Sequence, residues 1–74
     1  MRKITDIEKE YAMHLVRIKS STCKYVYNDS DLKSINCHFI DGICAGLTSV
    51  GICCDSSFVN EMYVAWENEP PYKK

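Results

Sequence analysis

Apolar residues recur at helical spacing in three parts of the chain, and the first part lies near the N-terminus. Its members are separated by four, four and three residues: Ile7, Tyr11, Leu15 and Ile18. This spacing places them on one face of a helix. Thr5 and Glu8 have the spacing of a capping box, in which each side chain binds a backbone N–H. The pattern predicts a helix over about residues 5–19, with this stripe facing the core.

The second apolar pattern predicts a helix over about residues 31–49. At 100° per residue, six apolar side chains fall within an arc of about 120°. They are Leu32, Ile35, Phe39, Ile43, Leu47 and Val50. A strand would scatter the same residues over both faces. We expect Ser30 to cap the start of this helix, and Gly51 to end it in the left-handed conformation.

The third pattern predicts a helix over about residues 57–68. Its broad apolar face contains Phe58, Val59, Met62, Tyr63, Ala65 and Trp66. Three candidate caps, Asp55 to Ser57, precede it, and a proline pair ends it. The last turn carries Glu67 and Glu69, which oppose the helix dipole. An unfavourable feature of this kind suggests that these side chains serve a function.

Residues 20–28 are ambiguous, because two serines weaken a helix while Tyr25, Val26 and Tyr27 suit a strand. A continued helix, an irregular linker and a short strand remain alternatives here. The three helical patterns together predict an all-α fold, a small three-helix domain. We expect residues 1–74 to form that single helical domain.

Charge is unevenly distributed along the chain. Residues 1–37 carry seven basic and five acidic side chains, whereas residues 38–74 carry two and five. Lys and Arg are absent between Lys33 and Lys73. The short glycine-containing turn after residue 49 would allow a helix-turn-helix, so a nucleic-acid-binding regulator is one alternative. Its recognition helix would lack the cations that contact phosphates, and nucleic acid is therefore not the expected partner.

The segment between Asp41 and Asp55 holds three of the five cysteines and all three glycines. Its uncharged run of thirteen residues is shorter than the roughly 20 residues of a membrane span, so we expect no membrane partner. An odd number of cysteines, without an apolar secretory signal, favours free thiols in the cytoplasm. Cysteine-based metal binding is a second alternative, although the paired spacing of zinc ligands is missing. We expect no cofactor and no catalytic residues.

Small side chains occupy one side of the second predicted helix. They are Gly42, Ala45, Gly46 and Ser49. Each glycine inside a helix costs about 1 kcal/mol relative to alanine, so two of them suggest a close approach by another backbone. We expect the first helix of the same chain to make this contact, with a homodimer seam as the alternative.

These features favour a small soluble protein-interaction protein. We expect a regulator or inhibitor that binds a host protein, of the kind that phages and mobile elements encode. The first candidate contact residues lie in or after the third helix: Glu61, Val64, Glu67, Glu69 and Tyr72. Tyr25 and Tyr27 are the second candidates, because exposed aromatic side chains anchor interfaces.

Overall fold

The computed structural model describes residues 1–73, which contain three helices. The helices are α1 (Asp6–Val26), α2 (Asp29–Ser49) and α3 (Ser56–Asn68). Two short strands, β1 (Arg2–Lys3) and β2 (Ile52–Cys53), pair in parallel, with Arg2 opposite Ile52. The predicted all-α, three-helix fold is confirmed. The strands were not predicted, because two residues are too few to show an alternating pattern.

Side-chain caps start all three helices. The predicted capping box is present, since the Glu8 N–H donates to Thr5 Oγ1 (3.3 Å) and the Thr5 N–H donates to Glu8 Oε1 (2.9 Å). Asn28, not the predicted Ser30, caps α2, because its Oδ1 accepts from the Asp31 N–H at 3.0 Å. Asp55 caps α3 in the same way.

A left-handed glycine ends α2, as predicted. Gly51 has a φ of 81°, and its N–H donates to the Thr48 carbonyl at 3.0 Å. The chain then turns into β2, where the side chain of Ile52 is buried in the core. The turn therefore fixes the direction in which the chain approaches α3.

The ambiguous segment continues α1 as a helix to Val26, seven residues beyond the predicted end at residue 19. Two buried side chains hold this extension against the rest of the fold. Ser20 is fully buried, and its Oγ donates to the Trp66 carbonyl at 2.7 Å, while Cys23 lies in the core. Tertiary contacts thus outweigh the weak helix propensity of the serines.

The buried face of α1 is not the predicted one. Its core residues are Ala12, Val16, Ser20 and Cys23, which are also separated by four, four and three residues. The predicted stripe is exposed: Ile7 by 80%, Tyr11 by 67%, Ile18 by 51% and Leu15 by 36%. The prediction that these four side chains face the core was wrong. The small stripe is buried because it lets α1 lie close to the large side chains of α3 and α2.

The buried side of α2 is centred on Ile40, which the predicted stripe omitted. Ile40 is fully buried, and Asn36, one turn earlier, is also in the interior. Val50, placed in the predicted stripe, is 71% exposed because the helix has already ended at Ser49. The Asn36 Oδ1 accepts no hydrogen bond from residues 1–73.

The acidic end of α3 is compensated by a cation from α1. Lys24 Nζ donates to the Trp66, Glu69 and Glu67 carbonyls at 2.5, 2.6 and 3.2 Å. These carbonyls lie at the C-terminal end of the helix, where a positive charge is favourable. The sequence indicated an unfavourable interaction of Glu67 and Glu69 with the helix dipole. Lys24, which lies 42 positions before Trp66 in the chain, balances it.

A charged cluster at the start of α1 should make stability depend on pH. Hydrogen bonds from Arg2, and then from Thr5, lower the pKa of Glu8 from 4.5 to about 2. Since the folded pKa is depressed, the contribution of Glu8 is complete above pH 4.5 and is lost as the pH falls towards 2. We expect Glu8→Gln to lower the thermal midpoint at pH 7 and to flatten its pH dependence in this window.

Thermal unfolding monitored by circular dichroism between pH 7 and pH 2 measures this effect. Glu61→Gln is the matched control, because the exposed Glu61 carboxylate forms no ion pair within residues 1–73. If Glu8→Gln and Glu61→Gln change the pH profile equally, the assigned role of the Arg2–Glu8 pair is wrong.

Candidate protein-interaction surface

An apolar ridge runs along the outside of α1. It consists of the four exposed side chains of the predicted stripe, Ile7, Tyr11, Leu15 and Ile18. Single exposed apolar residues are common on proteins, but a contiguous row of large ones is typical of an interaction site. Sequence reasoning found these residues and assigned them to the core, because the periodicity of a buried stripe and of an exposed one is identical.

A groove lies between this ridge and α2. Its volume is about 510 Å³, and its lining residues are Ile7, Glu8, Tyr11, Ala12, Leu15, Gly42, Ile43, Gly46 and Leu47. Glu8 is the only charged residue of this lining, and Arg2 already binds its carboxylate. The ridge and the groove together form a face of α1 and α2 that we call the α1–α2 face. Its chemistry suits apolar side chains of another chain.

The two helical glycines of α2 lie open at this groove. A Cβ atom built on Gly42 or on Gly46 would meet no atom within 4 Å in the described part of the chain outside its own helical turn. Ala45 and Ser49 are exposed as well. The expected close contact with α1 of the same chain is therefore wrong. The homodimer alternative remains a prediction, and the glycines leave room for an incoming side chain.

The candidate contact residues of α3 are divided between two places. Glu61, Val64 and Glu69 line a cleft of about 610 Å³ between α1 and α3, opposite Met13 and Arg17. Glu67 lies on the other side of α3, in a small cavity of about 220 Å³ that Lys24, Lys33 and Asn36 also line. The α1–α3 cleft is more polar than the α1–α2 face, because carboxylates and amides make up much of its lining.

The predicted tyrosines are partly engaged with one another. The rings of Tyr25 and Tyr72 pack edge to face, with their centroids 5.9 Å apart. The Tyr72 N–H also donates to the Ser21 carbonyl at 3.0 Å, which ties the C-terminal segment to α1. Tyr27 follows α1 directly and is 48% exposed. The contact between Tyr25 and Tyr72 therefore helps to hold the C-terminal segment against α1.

The thiols of Cys44 and Cys54, which are ten residues apart in the chain, are in contact between α2 and the start of α3. Cys44 Sγ lies 3.1 Å from Cys54 Sγ. Burial, followed by the neighbouring Cys44, raises the pKa of Cys54 to about 12. A thiol with this pKa is protonated at neutral pH and is a weak nucleophile. Within residues 1–73, no three His, Cys, Asp or Glu side chains are placed so that they could hold a metal ion.

The outward side of α3 is acidic or neutral. Asn60, Glu61 and Asn68 are exposed there, and no Lys or Arg occurs in the helix. None of the helices in the described part of the chain combines the length and apolar character that a membrane span requires. In comparisons with protein-family models, curated proteins and solved structures, the chain matches none.

Proposed function

We propose that this chain is a protein-interaction protein, a regulator or inhibitor that binds a host protein through its α1–α2 face. The observation that carries this proposal is the exposed apolar ridge of α1 beside the open groove. A free chain leaves Ile7, Tyr11 and Ile18 more than half exposed to water. Another protein that covers these side chains would remove their apolar surface from water. This removal is the dominant driving force of most protein association.

The shape of the face suits one apolar side of a helix. The groove runs between two helices, and glycines at positions 42 and 46 form part of its wall. Residues four apart lie one above the other on a helix, so these glycines make a continuous shallow strip. An amphipathic helix of the partner could approach this strip closely and place apolar side chains between α1 and α2.

The thiols support an intracellular setting for this function. All five cysteines are free, and Cys37 and Cys53 are exposed. The cytoplasm keeps thiols reduced, whereas oxidising compartments convert exposed thiols into disulfides. We therefore propose that the interaction takes place in the cytoplasm.

Site-specific photo-crosslinking in the native host cell tests which surface is used. A photoreactive phenylalanine derivative at position 11 should form a discrete adduct with another polypeptide. The same derivative at position 64 is the matched control, since Val64 is an exposed apolar residue in the α1–α3 cleft. An adduct from position 64 alone would place the contact in the α1–α3 cleft. The absence of an adduct from both positions would contradict the proposed function.

Filling the groove provides a second test. We expect Gly46→Leu to leave the fold intact, because a Cβ at this position meets open space and leucine favours a helix more than glycine does. The added side chain should abolish the adduct from position 11. Ala45→Leu is the control, because Ala45 is exposed on the same helix but does not line the groove. Equal crosslinking in both variants would show that the groove is not occupied by the partner.

A further inference from the structure

We infer that Cys44 and Cys54 form a reversible disulfide, a thiol modification site that joins α2 to the start of α3. The oxidant is a small-molecule disulfide of the glutathione type. In a compartment that keeps thiols reduced, disulfides of this kind are transient and serve in catalysis or redox sensing. Neither a protein partner nor the α1–α2 face is involved, so the site is independent of the proposed function.

The fold brings the two thiols together from α2 and from the residue that follows β2. Cys44 comes four residues after the fully buried Ile40, so both side chains lie on the inner side of α2. Successive side chains along a strand point to opposite sides, and Ile52 is buried, Cys53 exposed and Cys54 half-buried. Cys54 therefore faces back towards α2, where its sulfur lies 3.1 Å from the Cys44 sulfur.

The remaining cysteines are not placed for such a bond. Cys23 is only 2% exposed, which shields it from an oxidant. Cys37 and Cys53 are exposed, but the contact of Cys44 with Cys54 is the one thiol–thiol hydrogen bond within residues 1–73. A disulfide bond is about 2.05 Å long, so these two sulfurs need to approach by only about 1 Å. Oxidation of the folded chain should therefore select this pair.

Thiol–disulfide exchange forms the bond in two steps. Burial, followed by the neighbouring Cys44, raises the pKa of Cys54 to about 12, so Cys44 supplies the first thiolate. This thiolate attacks one sulfur of the small disulfide, whose S–S bond breaks and releases the first small thiol. Cys54 then attacks the Cys44 sulfur of the mixed disulfide and expels the second small thiol. The two cysteines lose two protons and two electrons, which the two released thiols carry away.

Oxidation of a chain that carries Cys37→Ser and Cys53→Ser tests the site. These changes remove the exposed thiols and leave Cys23, Cys44 and Cys54. With about 1 mM oxidised glutathione, the intact mass should fall by about 2 Da, the mass of two hydrogens. The denatured product should then accept one alkylating group instead of three. Adding Cys54→Ser should leave one glutathione bound to Cys44, because no neighbouring thiol displaces it.

The closed disulfide should also stabilise the fold. It links residues that are ten apart and so restricts the unfolded chain. We expect the thermal midpoint to rise by about 10 °C on oxidation and to return with about 5 mM dithiothreitol. The same background with Cys44→Ser is the matched control, and its midpoint should show no such rise.

Three outcomes overturn the inference. A chain that keeps its three thiols, or that stops at a glutathione adduct, uses Cys44 and Cys54 for packing alone. A loss of 2 Da that persists in the Cys54→Ser variant assigns the bond to Cys23. A closed disulfide that lowers the thermal midpoint means that the fold does not hold the two sulfurs in bonding geometry. Circular dichroism of the reduced variants checks their helices, and alanine replaces serine wherever helix is lost.

Discussion

Replacing Ile40 by alanine should lower the free energy of unfolding by about 2–5 kcal/mol, the range for large-to-small changes in a core. Ile40 is fully buried, and the cavity left by its side chain would lie among residues of all three helices. A chain of this length has a marginal total stability, so the variant should be mostly unfolded at 37 °C. Urea titration followed by circular dichroism measures the loss.

Val50→Ala is the matched control for Ile40→Ala. Val50 follows the same helix, but it is 71% exposed, so its truncation should change the free energy of unfolding by no more than about 0.5 kcal/mol. If Ile40→Ala proves too unstable to titrate, Ile40→Val should still cost about 0.5–1.5 kcal/mol. A larger loss from Val50→Ala than from Ile40→Val would mean that Val50, and not Ile40, faces the core.

Replacing Lys24 by methionine should cost about 2–3 kcal/mol, the upper range for hydrogen bonds to charged groups. Methionine keeps much of the aliphatic length but cannot donate to the Trp66, Glu67 and Glu69 carbonyls that Lys24 contacts. The carbonyls at the end of α3 would lose their partner, and the acidic last turn would lose its balancing charge.

Lys33→Met controls for the change of net charge in this experiment. Lys33 and Lys24 both line the small cavity beside Glu67. Lys33 is exposed and forms no ion pair within residues 1–73. Urea titration should therefore give Lys33→Met nearly the wild-type midpoint. If the two variants lose equal stability, net charge and not the capping of α3 explains the effect of Lys24→Met.

Local signals predicted most of the secondary structure correctly. The capping box at Thr5, the left-handed Gly51 and the cap at Asp55 each depend on residues that are neighbours in the chain. Such interactions can be read from a sequence because their geometry is fixed by the helix itself. The end of α1 stayed open between a continued helix, a linker and a short strand, because Ser20 and Lys24 stabilise the continued helix through the distant Trp66.

The candidate site was harder to predict than the fold. The sequence drew attention to Gly42 and Gly46 and to the stripe of Ile7 and Tyr11, but it assigned both to contacts inside one chain. The structure places them side by side around an open groove. Glu67 and Glu69 have no basic neighbour in the sequence of α3, and Lys24 of α1 supplies the positive charge at this end of the helix. Contacts between distant residues decide both points, and periodicity contains no information about them.

The sequence by itself determined that three amphipathic helices form and where the caps of α1 and α3 lie, because those interactions act over a few residues. The sequence predicted that the large stripe of α1 faces the core, but α1 also carries a small stripe of identical spacing. Only the tertiary structure decided between them. The small stripe faces the core because the large side chains of α3, Phe58, Met62 and Trp66, already fill the core. The members of this stripe are Ala12, Val16, Ser20 and Cys23. The large stripe then remains outside, where it forms the surface that we propose for binding.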